Sequence, residues 1–218
     1  MKNPIIILSF LFFPWLTHWS YGQTQDLQNE VQKVIEKYQG APSLKLDFEF
    51  QLTYPEQHPQ IFEGTFYKLN DVYKVDLDAY TIYSDGKAQY TVQKDAQEVQ
   101  ITNIDTGSIE LSSPAGILKY LENQNFKYFD KSSLKQGGQS LRIIEMVPTD
   151  KSSDYFKIRF SFTGLTKQLK YIEIFARDGQ RIQLTVGDTS FSGNFSRKSI
   201  EWDKGLYKDY YIEDLRID

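Results

Sequence analysis

Residues 44–54 alternate between apolar and polar side chains without interruption, and this pattern constrains the fold more than any other in the chain. Every even position holds leucine, phenylalanine or tyrosine, and every odd position holds a charged or polar residue, in the segment LKLDFEFQLTY. Because successive side chains of a strand point to opposite faces, the segment predicts a strand with one buried face. At ~3.4 Å per residue it would extend about 37 Å, which suits a stave of a curved barrel.

A second stretch, residues 60–102, contains several short runs of aromatic and β-branched residues separated by turn residues. Asp85-Gly86 predicts a type I′ hairpin, because glycine adopts positive φ freely and aspartate tolerates it. The flanking strands are predicted at 80–84 and 87–93. In the second of these strands one face is polar and the other is apolar, the apolar one being formed by Ala88, Tyr90 and Val92.

The second half of the chain returns to strand patterns. Strands are predicted at 141–147, 155–162, 169–176 and 181–186, with turn residues between them. A last pair of strands is predicted at 195–202 and 207–212. The spacing favours one mainly β domain with antiparallel, up-and-down pairing, and no internal repeat or linker indicates a second domain.

Two helices are predicted between these strands. Residues 25–38 carry an apolar stripe at helical spacing, with Thr24 or Asp26 as the N-cap. Residues 114–123 follow Ser113 as N-cap and begin with proline, and residues 126–129 are expected to add a further turn. The two stripes are formed by Leu27, Val31, Val34, Ile35 and Tyr38 in the first helix and by Ile117, Leu118 and Leu121 in the second.

The N-terminus has the pattern of a secretory signal peptide over residues 1–22. A basic start is followed by an apolar core of residues 5–16, and small residues precede Gln23. The core is shorter than the roughly 20 residues that a membrane-spanning helix needs. The chain has no cysteine, which excludes disulfides, thiolate sites and the cysteine that anchors a bacterial lipoprotein. We therefore expect residues 23–218 to be exported as one free domain.

The composition argues against several classes of function. A net charge of −4 removes the electrostatic attraction on which nucleic-acid binding depends. His58 is the one histidine outside the predicted signal peptide, and it lies between two prolines in a predicted loop. The sequence shows no spacing typical of a metal site, a nucleophile with its base, or a phosphate loop. We expect no enzyme activity, no catalytic residues, no metal and no cofactor.

The segment 60–102 also resembles a known family. Gly64-x-Phe66-Tyr67-Lys68, Asn70-Asp71-x-Tyr73, Ile82-x-Ser84-Asp85-Gly86-Lys87 and Gln97-Glu98-Val99-x-Ile101 are similar to the periplasmic outer-membrane lipoprotein carrier family, LolA, in its Bacteroidota form. The resemblance implies an unclosed antiparallel β-barrel covered by an α-helical lid. It also implies a monomeric chaperone that carries lipoproteins from the inner to the outer membrane.

The resemblance further implies partners and residue roles. Lipoprotein acyl chains would enter the interior, an inner-membrane lipoprotein-releasing transporter would donate them, and an outer-membrane protein would accept them. Many members have Lys-Arg-Pro before the third strand, and the arginine holds the lid closed by hydrogen bonds. Here the matching positions are Lys68-Leu69-Asn70, so that arginine is missing. The C-terminal Pro-Pro-x-Gly-Val of the family is absent as well. The lid latch and the donor docking of this chain are therefore open questions.

The apolar pattern by itself permits either a dry core or a hollow for a ligand. The candidate cavity residues on the strands are Phe48, Phe50, Phe66, Tyr73, Val75, Ile82, Tyr90, Val92, Phe160 and Ile172. The candidate lid residues are Leu27, Val31, Ile117, Leu118 and Leu121. Two further functions fit the same pattern: a carrier of another lipid or amphiphile, and an enzyme or sensor module that responds to cell-envelope stress.

Overall fold

The computed structural model describes residues 19–104, 113–122, 124–131, 135–136 and 139–216, with side-chain environments from residue 25 onward except at 135–136 and 139–140. Most of the predicted signal peptide, residues 1–18, lies outside these ranges, so the signal peptide stays a prediction. None of the helices in the described ranges combines the length and the hydropathy needed to cross a bilayer.

The described elements are three α-helices, one 3₁₀ turn and thirteen strands. The helical segments are α1 Trp19–Gln39, α2 Pro114–Glu122, α3 Arg197–Ile200 and the 3₁₀ turn Lys204–Tyr207. The strands are β1 Ser43–Thr53, β2 Gln60–Leu69, β3 Val72–Leu77, β4 Tyr80–Ser84, β5 Ala88–Gln93, β6 Glu98–Asn103, β7 Phe126–Asp130, β8 Lys135–Gln136, β9 Gln139–Pro148, β10 Tyr155–Thr163, β11 Leu169–Ala176, β12 Arg181–Ser190 and β13 Tyr211–Asp214.

The strands form one sheet in the order β13-β6-β5-β4-β3-β2-β1-β12-β11-β10-β9-β7, with β8 paired to β9. Neighbours are antiparallel except β13 and β6, which run parallel. In the described part of the chain the two end strands, β13 and β7, do not pair with each other, so the barrel is open. This confirms the predicted unclosed antiparallel barrel with helices.

The predicted alternation in β1 is confirmed for residues 44–50, whereas Leu52 and Tyr54 are half-buried like the polar residues beside them. Leu44, Leu46, Phe48 and Phe50 are buried, whereas the residues between them are half-buried. These side chains belong to the main core, which also contains the apolar stripes of α1 and α2. We call the face of the sheet that carries this core the inner face, and the opposite side the outer face.

The apolar face of the sheet changes side at β4. Every residue from Thr81 to Ser84 is buried, because both faces of this strand are covered. Ile82 joins the main core, whereas Tyr83 joins a second cluster with Val92 and Val99. Beyond β4 it is therefore the outer face that is apolar. The C-terminal segment, residues 202–212, covers it.

The predicted last pair of strands is wrong. Residues 197–207 form α3 and the 3₁₀ turn instead, and only β13 adds a strand. Trp202 stacks on Tyr90 at 5.0 Å between ring centroids and on Tyr207 at 4.9 Å. Trp202 also meets Tyr83 edge-on at 5.9 Å between ring centroids, so these rings pack against the second cluster.

Two helix boundaries also differ from expectation. Helix α1 begins at Trp19, so the predicted caps Thr24 and Asp26 lie inside it, in a stretch with no proline to stop it. Residues 126–129 belong to strand β7, which pairs with β9, rather than to a further helical turn. So short an apolar run does not distinguish helix from strand by periodicity.

The cap of α2 is as predicted, because the Ser113 hydroxyl accepts from the Gly116 amide at 3.0 Å.

The β4–β5 hairpin is present, but its turn is not type I′. The Asp85 amide donates to the Ala88 carbonyl at 3.3 Å, which makes Gly86 and Lys87 the two loop residues. Gly86 has a φ of 85°, and Asp85 is not among the described residues with positive φ. A positive φ at the first loop residue alone is typical of a type II′ turn. The Asp85 carboxylate accepts from the amides of Lys87 and Ala88 at 2.8 Å and so holds the turn in this form.

Candidate functional site

A cavity of about 560 Å³ lies between the inner face of the sheet and the two longer helices. The beginning of β1, the end of β2 and the first half of β3 form its sheet side. Helix α2 and the last residues of α1 form its other side. The volume falls within the roughly 300–1,000 Å³ that is usual for a site that binds one drug-sized molecule.

The cavity has a largely apolar wall. Leu44 and Leu46 on β1, Phe66 on β2 and Leu118 on α2 all line it and are at most 2% exposed. The ring of Phe66 lies 5.7 Å from that of Tyr73, which also lines the wall. Such a surface favours hydrocarbon over water, at about 25 cal/mol for each Å² that a ligand covers.

Eight further lining residues are charged or carry a side-chain amide. They are Gln39, Lys68, Asn70, Asp71, Lys87, Lys119, Glu122 and Gln124. Since Asp71 and Lys87 are exposed, this group forms the mouth of the cavity. The site therefore combines an apolar interior with a charged opening, as a ligand with a hydrocarbon tail and a polar head would require.

Lys68 connects this mouth to helix α1. Its ammonium nitrogen Nζ donates to the carbonyl oxygens of Gln39 at 2.9 Å and Ala41 at 2.7 Å, at the C-terminal end of the helix. A cation is favourable there because the last carbonyls of a helix carry partial negative charge. Burial lowers the pKa of Lys68, and the charge of Asp71 acts in the opposite direction. Lys68 thus attaches the C-terminal end of α1 to β2.

The structure separates the predicted site residues into three groups. Phe66, Tyr73 and Leu118 line the cavity. Most of the others pack in the main core around it, and these are Phe48, Phe50, Val75, Ile82, Phe160, Ile172, Leu27, Val31, Ile117 and Leu121. Tyr90 and Val92 pack with the second cluster on the outer face. We correct their assignment: the apolar side of β5 faces away from the cavity, because the apolar face changes side at β4.

Sequence reasoning also missed residues of the site. Leu44 and Leu46 belong to the same alternating face as Phe48 and Phe50, so the pattern contained the information needed to include them. Gln39 and Lys68 have no such signal, because they meet only when the end of α1 reaches β2. A local sequence pattern does not predict long-range contacts of this kind.

A second depression, of about 640 Å³, lies on the outer face of β1, β2 and β3. Its lining includes the carboxylates of Asp47, Glu49, Glu63, Asp76 and Asp78. Thr65 and Thr81 donate to two of them, and Lys74 pairs with Asp76 at 2.6 Å. Among the described residues no group of three or more histidine, aspartate or glutamate side chains has the arrangement to hold a metal ion.

Comparison with known proteins gives a match at the level of fold. No family model and no curated protein sequence matches the chain. An uncharacterised conserved protein from Thermus thermophilus is 7% identical with a TM-score of 0.57, over 86% of this chain and 98% of that chain. A LolA superfamily protein from Nitrosomonas europaea is 10% identical with a TM-score of 0.44, over 82% and 98%.

A domain assigned to outer membrane lipoprotein sorting, from Vibrio parahaemolyticus, is 14% identical with a TM-score of 0.44, over 85% of this chain and 99% of that chain. The Bacteroidota subtype stays a prediction. At these identities the likeness is one of fold alone, and this chain is similar in fold to the protein from Thermus thermophilus.

Proposed function

We propose that this protein binds the acyl chain of a lipid or lipoprotein in the 560 Å³ cavity and carries it through the periplasm from the inner to the outer membrane. The observation that supports this best is the apolar wall formed by Leu44, Leu46, Phe66 and Leu118 behind a polar mouth. The predicted signal peptide and the motif resemblance to LolA agree with it.

An acyl chain needs a carrier because its exposure to water has a large free-energy cost. Moving a chain of about 15 methylenes from a membrane into water costs roughly 12 kcal/mol, at ~0.8 kcal/mol for each methylene. Such a chain therefore does not cross water unaided. Delivery also requires release, which favours a groove covered by helices over a fully sealed site. The proposed donor is an inner-membrane lipoprotein-releasing transporter, and the proposed acceptor is an outer-membrane protein.

A cavity-filling variant tests the binding step. Ala115 lines the cavity from α2 and is half-buried, so Ala115→Trp should narrow the cavity without burying a charge. We expect it to weaken binding of a fluorescent acyl probe at least tenfold. Ala96→Trp, at an exposed alanine of the β5–β6 turn, is the matched control. Equal binding by both variants would argue against this cavity as the acyl site.

The cargo is tested in the cell. Depletion of a lipoprotein carrier should leave lipoproteins in the inner membrane, as membrane fractionation would show. If fractionation is unchanged while native mass spectrometry finds a bound lipid, a carrier of another amphiphile is the better assignment. A stable protein partner in place of a lipid would instead favour an envelope-stress sensor.

A further inference from the structure

The cavity contains an unused polar corner. The side-chain nitrogen Nε2 of Gln39 is buried and has no hydrogen-bond partner among the described residues. The Nζ of Lys68 lies 2.9 Å from the backbone carbonyl oxygen of this same glutamine, and both residues line the cavity. Two residues with side-chain donors therefore line the cavity where Lys68 contacts the backbone of Gln39.

Both donors have capacity to spare. An ammonium group has three N–H bonds, and Lys68 directs two of them to the carbonyls of Gln39 and Ala41. The amide nitrogen of Gln39 has no hydrogen-bond partner in the described part of the chain. The two carbonyl acceptors of Lys68 leave its third N–H available. A buried donor without an acceptor costs stability. The Gln39 amide, in a residue that lines the cavity beside the Lys68 ammonium, therefore indicates that a ligand supplies the missing oxygen.

We propose that this corner binds the oxygen atoms at the head of a single acyl chain, and that a free fatty-acid carboxylate is the preferred head. The inference rests on the proposed function and names its ligand class. A cavity of about 560 Å³ suits one drug-sized molecule rather than several chains. Leu44, Leu46, Phe66 and Leu118 would then surround the hydrocarbon part.

Charge favours a carboxylate over a neutral head. Lys68 is partly desolvated, which lowers its pKa. An anion beside it would stabilise the charged ammonium. Hydrogen bonds between an ammonium and a carboxylate are about twice as strong as those between neutral groups. The mouth also carries Lys87 and Lys119 against Asp71 and Glu122, so its cationic side chains outnumber its acidic ones by one.

Three ligands with equal chain length test the head preference. Palmitate has a carboxylate, methyl palmitate has a neutral carbonyl, and hexadecanol has a hydroxyl. Displacement of a fluorescent acyl probe from the purified protein at about pH 8 should give palmitate an affinity about tenfold above that of hexadecanol. Equal affinity of palmitate with either neutral ligand would overturn the carboxylate preference.

Two variants and their controls locate the head group. Gln39→Leu and Lys68→Met should each reduce the palmitate-to-hexadecanol affinity ratio about tenfold and leave hexadecanol binding little changed. Gln28→Leu and Lys33→Met, at exposed positions of α1, are the matched controls and should keep the ratio. Because both ligands are measured on the same variant, a general loss of stability does not alter the ratio.

The outcomes separate this inference from the proposed function. An unchanged ratio in both cavity variants overturns the assignment of Gln39 and Lys68 but leaves acyl binding intact. If none of the three ligands displaces the probe from the unmodified protein, the proposed function itself is contradicted.

Discussion

Asp85 stabilises the β4–β5 turn through its carboxylate. The carboxylate accepts from the Lys87 and Ala88 amides at 2.8 Å and from the Tyr90 hydroxyl at 3.0 Å. Burial raises the pKa of Asp85, but these hydrogen bonds outweigh that effect and lower it below its ordinary value. A lowered folded-state pKa means that the stabilisation is present above the pKa of the unfolded chain and is lost as the pH falls toward the folded pKa.

We therefore expect Asp85→Ala to reduce the free energy of unfolding by about 1 kcal/mol at pH 7, and by less near pH 3. Urea denaturation at the two pH values measures both quantities. Asp95→Ala, at an exposed residue of the next turn, is the control and should have little effect. A loss from Asp85→Ala that is the same under acidic as under neutral conditions would contradict the role of the carboxylate.

Helix α1 is held to the sheet by an ion-pair network as well as by its apolar stripe. Glu30 pairs with Arg142 of β9 at 2.8 Å and with Lys167 of the β10–β11 turn at 2.9 Å, and Arg142 also pairs with Asp130 of β7 at 2.8 Å. Burial raises the pKa of Glu30, but the hydrogen bonds and charges of Arg142 and Lys167 outweigh it and lower the pKa. Since the last residues of this helix line the cavity, a weaker attachment of the helix would also ease ligand entry.

We expect Glu30→Gln to weaken the attachment of α1 to the sheet without unfolding the sheet. If the free energy of local opening of α1 falls by about 1 kcal/mol, its amides should exchange hydrogen roughly fivefold faster. Hydrogen exchange with mass spectrometry would measure it, with Glu36→Gln on the exposed side of α1 as the control. Faster exchange in β1 and β12 to the same extent would mean global rather than local opening.

The C-terminal segment completes the molecule by covering the outer face. Trp202 lies between Tyr90 and Tyr207, and the hydroxyl groups of Tyr83 and Tyr207 are 2.8 Å apart. The chain has three tryptophans, and the other two, Trp15 and Trp19, lie within the predicted signal peptide. In the processed protein the fluorescence of Trp202 would report on this cover alone.

For the whole molecule we expect one cooperative unfolding transition. The two clusters share strand β4, so loss of the outer cover should expose a strand on which the main core also depends. Urea transitions followed by Trp202 fluorescence and by far-ultraviolet circular dichroism should therefore have the same midpoint. A fluorescence change that is complete at lower urea would mean that the C-terminal segment detaches independently, which argues against the single domain proposed for residues 23–218.

The sequence by itself determined the local features of this protein. The alternation over residues 44–54 predicted β1 and its buried face, Ser113 and Pro114 predicted the start of α2, and Asp85-Gly86 predicted a hairpin. Each follows from the repeat of a helix or strand, or from backbone preferences at a single position, and these are properties of neighbouring residues.

The tertiary structure alone decided which apolar face lines the cavity and which is covered from outside. Leu44, Leu46, Phe48 and Phe50 have the same pattern, yet the first two line the cavity and the last two pack in the core around it. Tyr90 and Val92 continue an apolar alternation, but on the outer face. Alternation defines two faces without stating what covers each of them, and a cavity arises only from the distances between elements far apart in the chain.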